Sequence, residues 1–190
     1  MPKYQERLES FLRLVKNRDC SSTIVALIVD SPWLPGYLGV GTLDFYFDDR
    51  IFLRAYEKLL EDLPEAVFIP GGWVEFGMAT EPSGWGVRIK WSNDQPPRIV
   101  QVKSTLAELA AAPTPDPETD GLMPFVLKRY ERLKGELRQI GISPCIAAVR
   151  GPLTIASHVH GFTSFLLATQ VDPENCNRFL SKVTDLCIAF

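Results

Sequence analysis

The side chains best suited to chemistry gather just behind one apolar run. Cys145 to Val149 has the small and branched composition of a buried strand and breaks at Arg150-Gly151-Pro152. Thr154, Ser157, His158 and His160 follow at once. Polar groups placed past the end of a buried strand are where α/β proteins carry out reactions. Arg150 suits either of two jobs, anchoring an anionic substrate or holding the neighbouring loop by a salt bridge. His158 and His160 would share one side if the segment were extended, as metal ligands do. The alternative is one hydrogen-bonded and one exposed imidazole. No third ligand accompanies them, so no complete metal site is expected in this chain.

A second concentration of functional groups lies in WVEFGMATEPSGWG, an irregular, glycine-rich segment behind another short apolar run. Glu75 and Glu81 are candidates for acid/base work in a shared pocket, against the simpler reading as surface carboxylates. Trp33, Trp73 and Trp85 can wall a flat ligand or pack under loops. Tyr37 sits in a third loop, WLPGYLGVG, whose G-x-x-G-x-G spacing lacks the Lys-Ser or Lys-Thr of a phosphate loop. That loop reads as a mobile or closely packed lid.

The elements that position these groups follow from periodicity. Tyr4 to Lys16 carries Leu8, Phe11, Leu12 and Val15 at helical spacing, a packing helix. Thr23 to Val29 is continuous and β-branched, the composition of a strand covered on both faces. Asp48-Asp49 caps a helix to Asp62 with Phe52, Ala55, Tyr56, Leu59, Leu60 and Leu63 on its apolar side, and Pro64 stops it. Ala66 to Ile69 is the second buried strand. Val87 to Trp91 and Arg98 to Val102 alternate around a turn, so residues 86–103 read as an exposed β-hairpin excursion. Ser104 caps a short helix to Ala111, and PTPDPET is a stiff connector. Gly121 to Ile140 is a long amphipathic helix with Gly141 as its cap. Cys145 to Val149 is the third strand, Phe162 to Thr169 a short helix, and Asp172-Pro173-Glu174 starts a last helix.

Composition bounds the class. The chain has 190 residues, 46% of them hydrophobic, and a net charge of −3, enough to bury one ordinary core and without the basic excess that nucleic acid calls for. No apolar run approaches the roughly 18 residues of a membrane span, and the amino terminus lacks a signal-peptide pattern, so a cytoplasmic location is expected. Cys20, Cys145, Cys176 and Cys187 form no C-x-x-C pair and read as buried thiols. Three parallel strands leave two edges unpaired. The last helix runs to Phe190 with no cap. Together these predict part of a larger α/β unit, completed by a missing half or by self-association through the open sheet edges.

The segments WLPGYLGVGTLDFYF, FIPGGWVEFGMATEPSGWG, TDGLMPFVL and above all RGPLTIASHVHGFTSFLLATQVDPE resemble the uroporphyrinogen decarboxylase superfamily, which includes methyltransferases acting on corrinoid proteins. The resemblance covers most of the chain from about residue 25. It implies an α/β fold, an incomplete (β/α)₈ TIM barrel. The first three parallel strands would be present with flanking helices, an amino-terminal helix over 1–20 and the inserted hairpin. The family's decarboxylases, which serve porphyrin biosynthesis without a cofactor, hold a polycarboxylate tetrapyrrole with arginines after the first strand, an aspartate after the second and a tyrosine after the third. Here Asp30 to Phe47 contains no Arg or Lys, Gly71, Gly72 and Trp73 stand near the aspartate's place, and His158 stands at the tyrosine's. Trp-x-Glu-Phe-Gly and Thr-Glu-Pro-Ser look like the methyltransferase branch. That branch implies methyl transfer to or from a corrinoid protein, with zinc bound in the carboxyl-terminal half of the full-length protein rather than in this chain. His158, Glu75 and Glu81 are then the catalytic candidates, and Tyr37, Trp73, Arg150, Thr154 and Ser157 the substrate-binding ones. A uroporphyrinogen decarboxylase and a non-catalytic interaction module from a split barrel are the alternatives.

Overall fold

The computed structural model describes residues 2–18, 21–100, 104–142 and 148–190. Its elements, in order, are α1 (Pro2–Asn17), β1 (Ala26–Ile28), α2 (Leu34–Leu38), α3 (Thr42–Phe47), α4 (Asp49–Asp62), β2 (Val67–Ile69), β3 (Arg88–Lys90), β4 (Arg98–Val100), α5 (Leu106–Ala111), α6 (Met123–Gln139), α7 (Pro152–His160), α8 (Phe162–Val171) and α9 (Pro173–Ala189). A 3₁₀ turn over Pro82–Trp85 precedes the hairpin. The chain divides into two compact units, Met1–Glu75 with Arg129–Ala148, and Phe76–Lys128 with Val149–Phe190. This is a mixed helix and strand protein containing a parallel strand pair.

The first unit is built on β1 and β2, paired in parallel with Ala26 opposite Val67, Leu27 opposite Phe68 and Ile28 opposite Ile69. Helix α1 docks through Tyr4, whose ring stacks on Phe68 and whose hydroxyl takes the Phe68 N–H at 3.2 Å. The expected α1 stripe holds for Leu8, while Val15 at its far end is exposed. Helix α4 buries Phe52, Ala55, Tyr56 and Leu59, and Asp48 caps it by accepting the Arg50 N–H at 2.9 Å. At the end of α6, Gly141 N–H donates to the Arg138 carbonyl and Ile142 N–H to that of Leu137. Gly141 has φ +97°. This is the paired-bond glycine stop with its apolar contact between Leu137 and Ile142, both fully buried.

Two expectations need correction here, and a third lies mostly outside the described residues. The first strand is shorter than Thr23 to Val29 and is not covered on both faces, since Val25 and Ile28 are 57% and 77% exposed. Among the described residues β1 pairs with β2 alone. The lid loop WLPGYLGVG is partly helical: Pro35 opens α2, Gly39 closes it in the left-handed region, and Leu34 is fully buried as an anchor. The third strand, Cys145 to Val149, falls mostly outside the described residues, as does Cys20.

In the second unit β3 and β4 pair antiparallel, with Arg88 opposite Val100, which makes the expected hairpin. Helix α5 begins one residue later than expected. Thr105 caps it, and Glu108 returns a carboxylate to the Thr105 N–H at 2.7 Å, a reciprocal cap that Ser104 could not close with a Glu four positions on. Helices α5, α7, α8 and α9 pack around Trp85, Met123, Ile155, Val159, Phe165 and Phe179. Trp85 meets Phe179 edge-on at 4.9 Å between ring centres. Asp172 accepts the Asn175 N–H and Pro173 opens α9, as the sequence predicts.

Candidate functional site

The site groups of the second unit meet at the start of α7. Helix α7 begins where Gly151 leaves extended backbone and Pro152 takes the first turn, a position that needs no N–H donor. Immediately before it, Arg150 turns its guanidinium onto Glu81. Its Nη1 lies 3.2 and 3.4 Å from the two carboxylate oxygens, and the Arg150 backbone N–H donates to Glu81 Oε1 at 3.1 Å. Glu81 is 1% exposed. A buried carboxylate is tolerable only with such a partner. Arg150 Nε also points at the Met78 sulfur at 3.0 Å, and the Cys187 thiol donates to the Arg150 carbonyl at 3.5 Å.

The side chains of α7 are helical, so the expectation of an extended His158-x-His160 pair is corrected. On a helix, residues two apart diverge by about 200°. His158 is half-buried and held below its ordinary range, first by burial and then by the Arg150 charge, with Glu81 pulling weakly the other way. Burial and the Arg150 charge both favour its neutral form. His160 has its Nδ1 buried with no hydrogen-bond partner among the described residues. Ser157 donates to the Thr154 carbonyl one turn back at 2.8 Å. Thr154 and Ser157 are half-buried on the same helix as His158. Burial and the Glu81 charge push the Cys187 thiol up, so it stays a thiol rather than a nucleophilic thiolate.

The other candidates belong to the first unit. Glu75 is 3% exposed and accepts the Ser31 N–H at 3.1 Å, while Ser31 shares a 2.8 Å hydrogen bond with the Tyr46 hydroxyl. Trp73 donates its backbone N–H to the Tyr56 hydroxyl at 2.9 Å. Tyr37 is turned outward. Its hydroxyl donates to Asp62, Trp33 stacks on its ring at 4.6 Å and Lys58 sits over that ring at 5.4 Å. The Asp62 carboxylate raises the Tyr37 phenol to about 12. Trp85, one of the three tryptophans read as ligand walls, packs in the second unit's core. Glu75 and Glu81 are both buried, which corrects the reading as surface carboxylates, and they fall in different units.

Sequence reasoning passed over Met78 and Arg129, and read Cys187 as a buried thiol where it is half-buried. A cation on an otherwise apolar helical face was the available signal for Arg129. It is 5% exposed on α6, donates to Asp49 at 2.8 Å and to the Phe45 carbonyl at 3.2 Å, and lies over the Phe52 ring. Among the described residues no group of three or more His, Cys, Asp or Glu is arranged to hold a metal ion. The described residues therefore do not fit a zinc centre. No helix among them is long and apolar enough to cross a membrane.

The family described as uroporphyrinogen decarboxylase (URO-D) matches residues 69–190. The uroporphyrinogen decarboxylase of Actinobacillus succinogenes is 25% identical over 117 residues, which cover 58% of this chain and 32% of that relative. The chain thus spans about a third of the length of the curated relative it matches.

Proposed function

The chain belongs to the uroporphyrinogen decarboxylase family, and from that premise we propose that it forms the amino-terminal part of a (β/α)₈ enzyme moving methyl groups to or from a corrinoid protein. The observation that carries this choice over decarboxylation is the state of Arg150. Its charge is already matched by Glu81 at 3.2 Å. A tetrapyrrole bearing many carboxylates needs several uncommitted cations. The segment Asp30 to Phe47, where the family's decarboxylases keep theirs, has no Arg or Lys.

In this reading Glu81 fixes Arg150 and with it the entry into α7, so Arg150 and Glu81 act as positioning residues. Neutral His158 accepts or returns a proton at the substrate, with Thr154 and Ser157 beside it on the same helix. Glu75 holds the backbone after β1 through the Ser31 N–H. Trp73, in the first unit, is proposed as a substrate contact of that unit. Tyr37, committed to Asp62, is not. Residues beyond those described would supply the zinc that turns a thiol into a thiolate. The isolated 190-residue chain is expected to be inactive.

The similarity to a relative named uroporphyrinogen decarboxylase favours the second reading. The whole protein, incubated separately with methylcobalamin plus a thiol acceptor and with uroporphyrinogen, distinguishes the two. Loss of the methylcobalamin spectrum with formation of the thioether is the expected result. Stepwise loss of carboxylates from the porphyrinogen, with no methyl transfer, would overturn it. Inactivity in both would leave the non-catalytic interaction module as the better account.

A further inference from the structure

We propose that the outer face of the β3–β4 hairpin is a docking surface for an acidic, extended segment of another protein. In an antiparallel pair, residues opposite each other point the same way, and so do residues two apart on one strand. Lys90 stands opposite Arg98, and Arg88 opposite Val100. Arg88, Lys90 and Arg98 therefore share one face, and all three are exposed. Among the described residues none of these side chains enters an ion pair. The hairpin's other face carries the pair Ile89 and Ile99, and Ile99 packs against the core of the second unit. That packing fixes the cations outward.

The charge pattern names the occupant. Like charges directly opposite each other destabilise a sheet, and Lys90 with Arg98 is such a placement. Guarding a hairpin edge against wrong pairing needs charge but no particular sign. A carboxylate at either position would guard it equally and attract its neighbour. The uniform sign is accounted for once a partner's carboxylates lie over the face. A single small anion on an open face is held only by screened charge. Nucleic acid spreads past three cations onto a chain with 20 Lys and Arg against 23 Asp and Glu, and is repelled there. A short acidic segment is not. Its side chains at alternate extended positions repeat about every 6.7 Å, the spacing of Arg88 from Lys90. Arg98 lies about 5 Å from Lys90 across the ladder, so one carboxylate serves both and cancels their repulsion. The surface serves whichever reaction the whole protein performs.

Fluorescence anisotropy of a dye-labelled peptide alternating Glu with Thr, titrated with the protein, tests the proposal. Binding should be submillimolar at about 50 mM salt and at least about threefold weaker at about 300 mM. The same peptide with Gln in place of Glu should not bind. Lys90→Glu should weaken binding at least about fivefold and raise the unfolding temperature, because it turns a repulsive cross-strand pair into an attractive one. A merely structural role for Lys90 would not drive those two readouts in opposite directions. Arg178→Glu, at an exposed cation of α9, should leave binding intact. No binding of the alternating peptide, or binding that survives Lys90→Glu, would overturn the proposal. Tighter binding of double-stranded DNA or of phosphatidylserine vesicles than of the peptide would overturn it equally, since the partner would then be nucleic acid or a membrane.

Discussion

At the scale of single residues, the pair Glu81 and Arg150 decides how the second unit's polar site behaves. Removing one partner of a buried pair strands the other. Arg150→Met should therefore lower unfolding stability in urea by about 3 kcal/mol. Glu81→Gln with Arg150→Met together should cost less than the sum of the single changes, because the coupling disappears once both charges are gone. His158 reports on the same pair. Its folded pKa lies below its unfolded value, so its contribution to stability is complete above about pH 6.5 and is lost as pH falls through the folded value. Followed by NMR, its midpoint should rise towards 6.5 in Arg150→Met and fall further in Glu81→Gln. A midpoint unmoved by either would separate His158 from the pair. Tyr37 behaves in the opposite sense. Its phenol is raised to about 12, so what its bond to Asp62 contributes is present below pH 10 and fades between 10 and 12. In Asp62→Asn its ultraviolet titration should move back towards 10.

At the scale of elements, two glycines predict opposite outcomes. Gly121 has φ +63°, and a Cβ there would stand 2.3 Å from Ser83 Oγ and 2.6 Å from the Gly84 nitrogen, which is backbone and cannot step aside. Gly121→Ala should cost about 3 kcal/mol or more. Gly135 lies inside α6 with nothing within 4 Å of a built Cβ. Gly135→Ala should stabilise by about 0.5–1 kcal/mol. Thermal unfolding of the two variants checks both signs. The same local logic explains what could be read from the sequence. Helices α4, α6 and α9 were legible because their caps, Asp48, Gly141 and Asp172-Pro173, act through neighbours a few residues away. Apolar content alone misled in the first strand. Thr23 to Val29 is continuous in sequence, yet Ile28 is exposed, because whether a β-branched residue is covered depends on which segments lie over it. The segment WLPGYLGVG is closely packed, as one of the two expectations had it, but its conformation differs for a related reason. Glycines suggested a loop, but Pro35 and buried Leu34 supply the start and the anchor of a helix. Within the site, residue types told which side chains could react. They could not tell that Arg150 was already spent on Glu81, since that contact joins positions 69 apart in the chain.

At the scale of the whole molecule, charge supply separates the two chemistries open to the family. The chain carries 20 Lys and Arg against 23 Asp and Glu. Two cations set deep in their units, Arg129 and Arg150, are paired with Asp49 and Glu81. A polycarboxylate ligand must displace those pairs or find cations elsewhere, and displacing a buried pair costs several kcal/mol before any contact is gained. Uroporphyrin, the oxidised tetrapyrrole carrying the same carboxylates, should therefore show no saturable absorbance change when titrated with this chain. The variant Glu81→Gln, which leaves the Arg150 charge unmatched, should bind it more tightly than the natural sequence does. Saturable binding by the natural chain at micromolar concentration, unaltered in Glu81→Gln, would place the carboxylate-binding cations elsewhere on these 190 residues and turn the assignment towards decarboxylation.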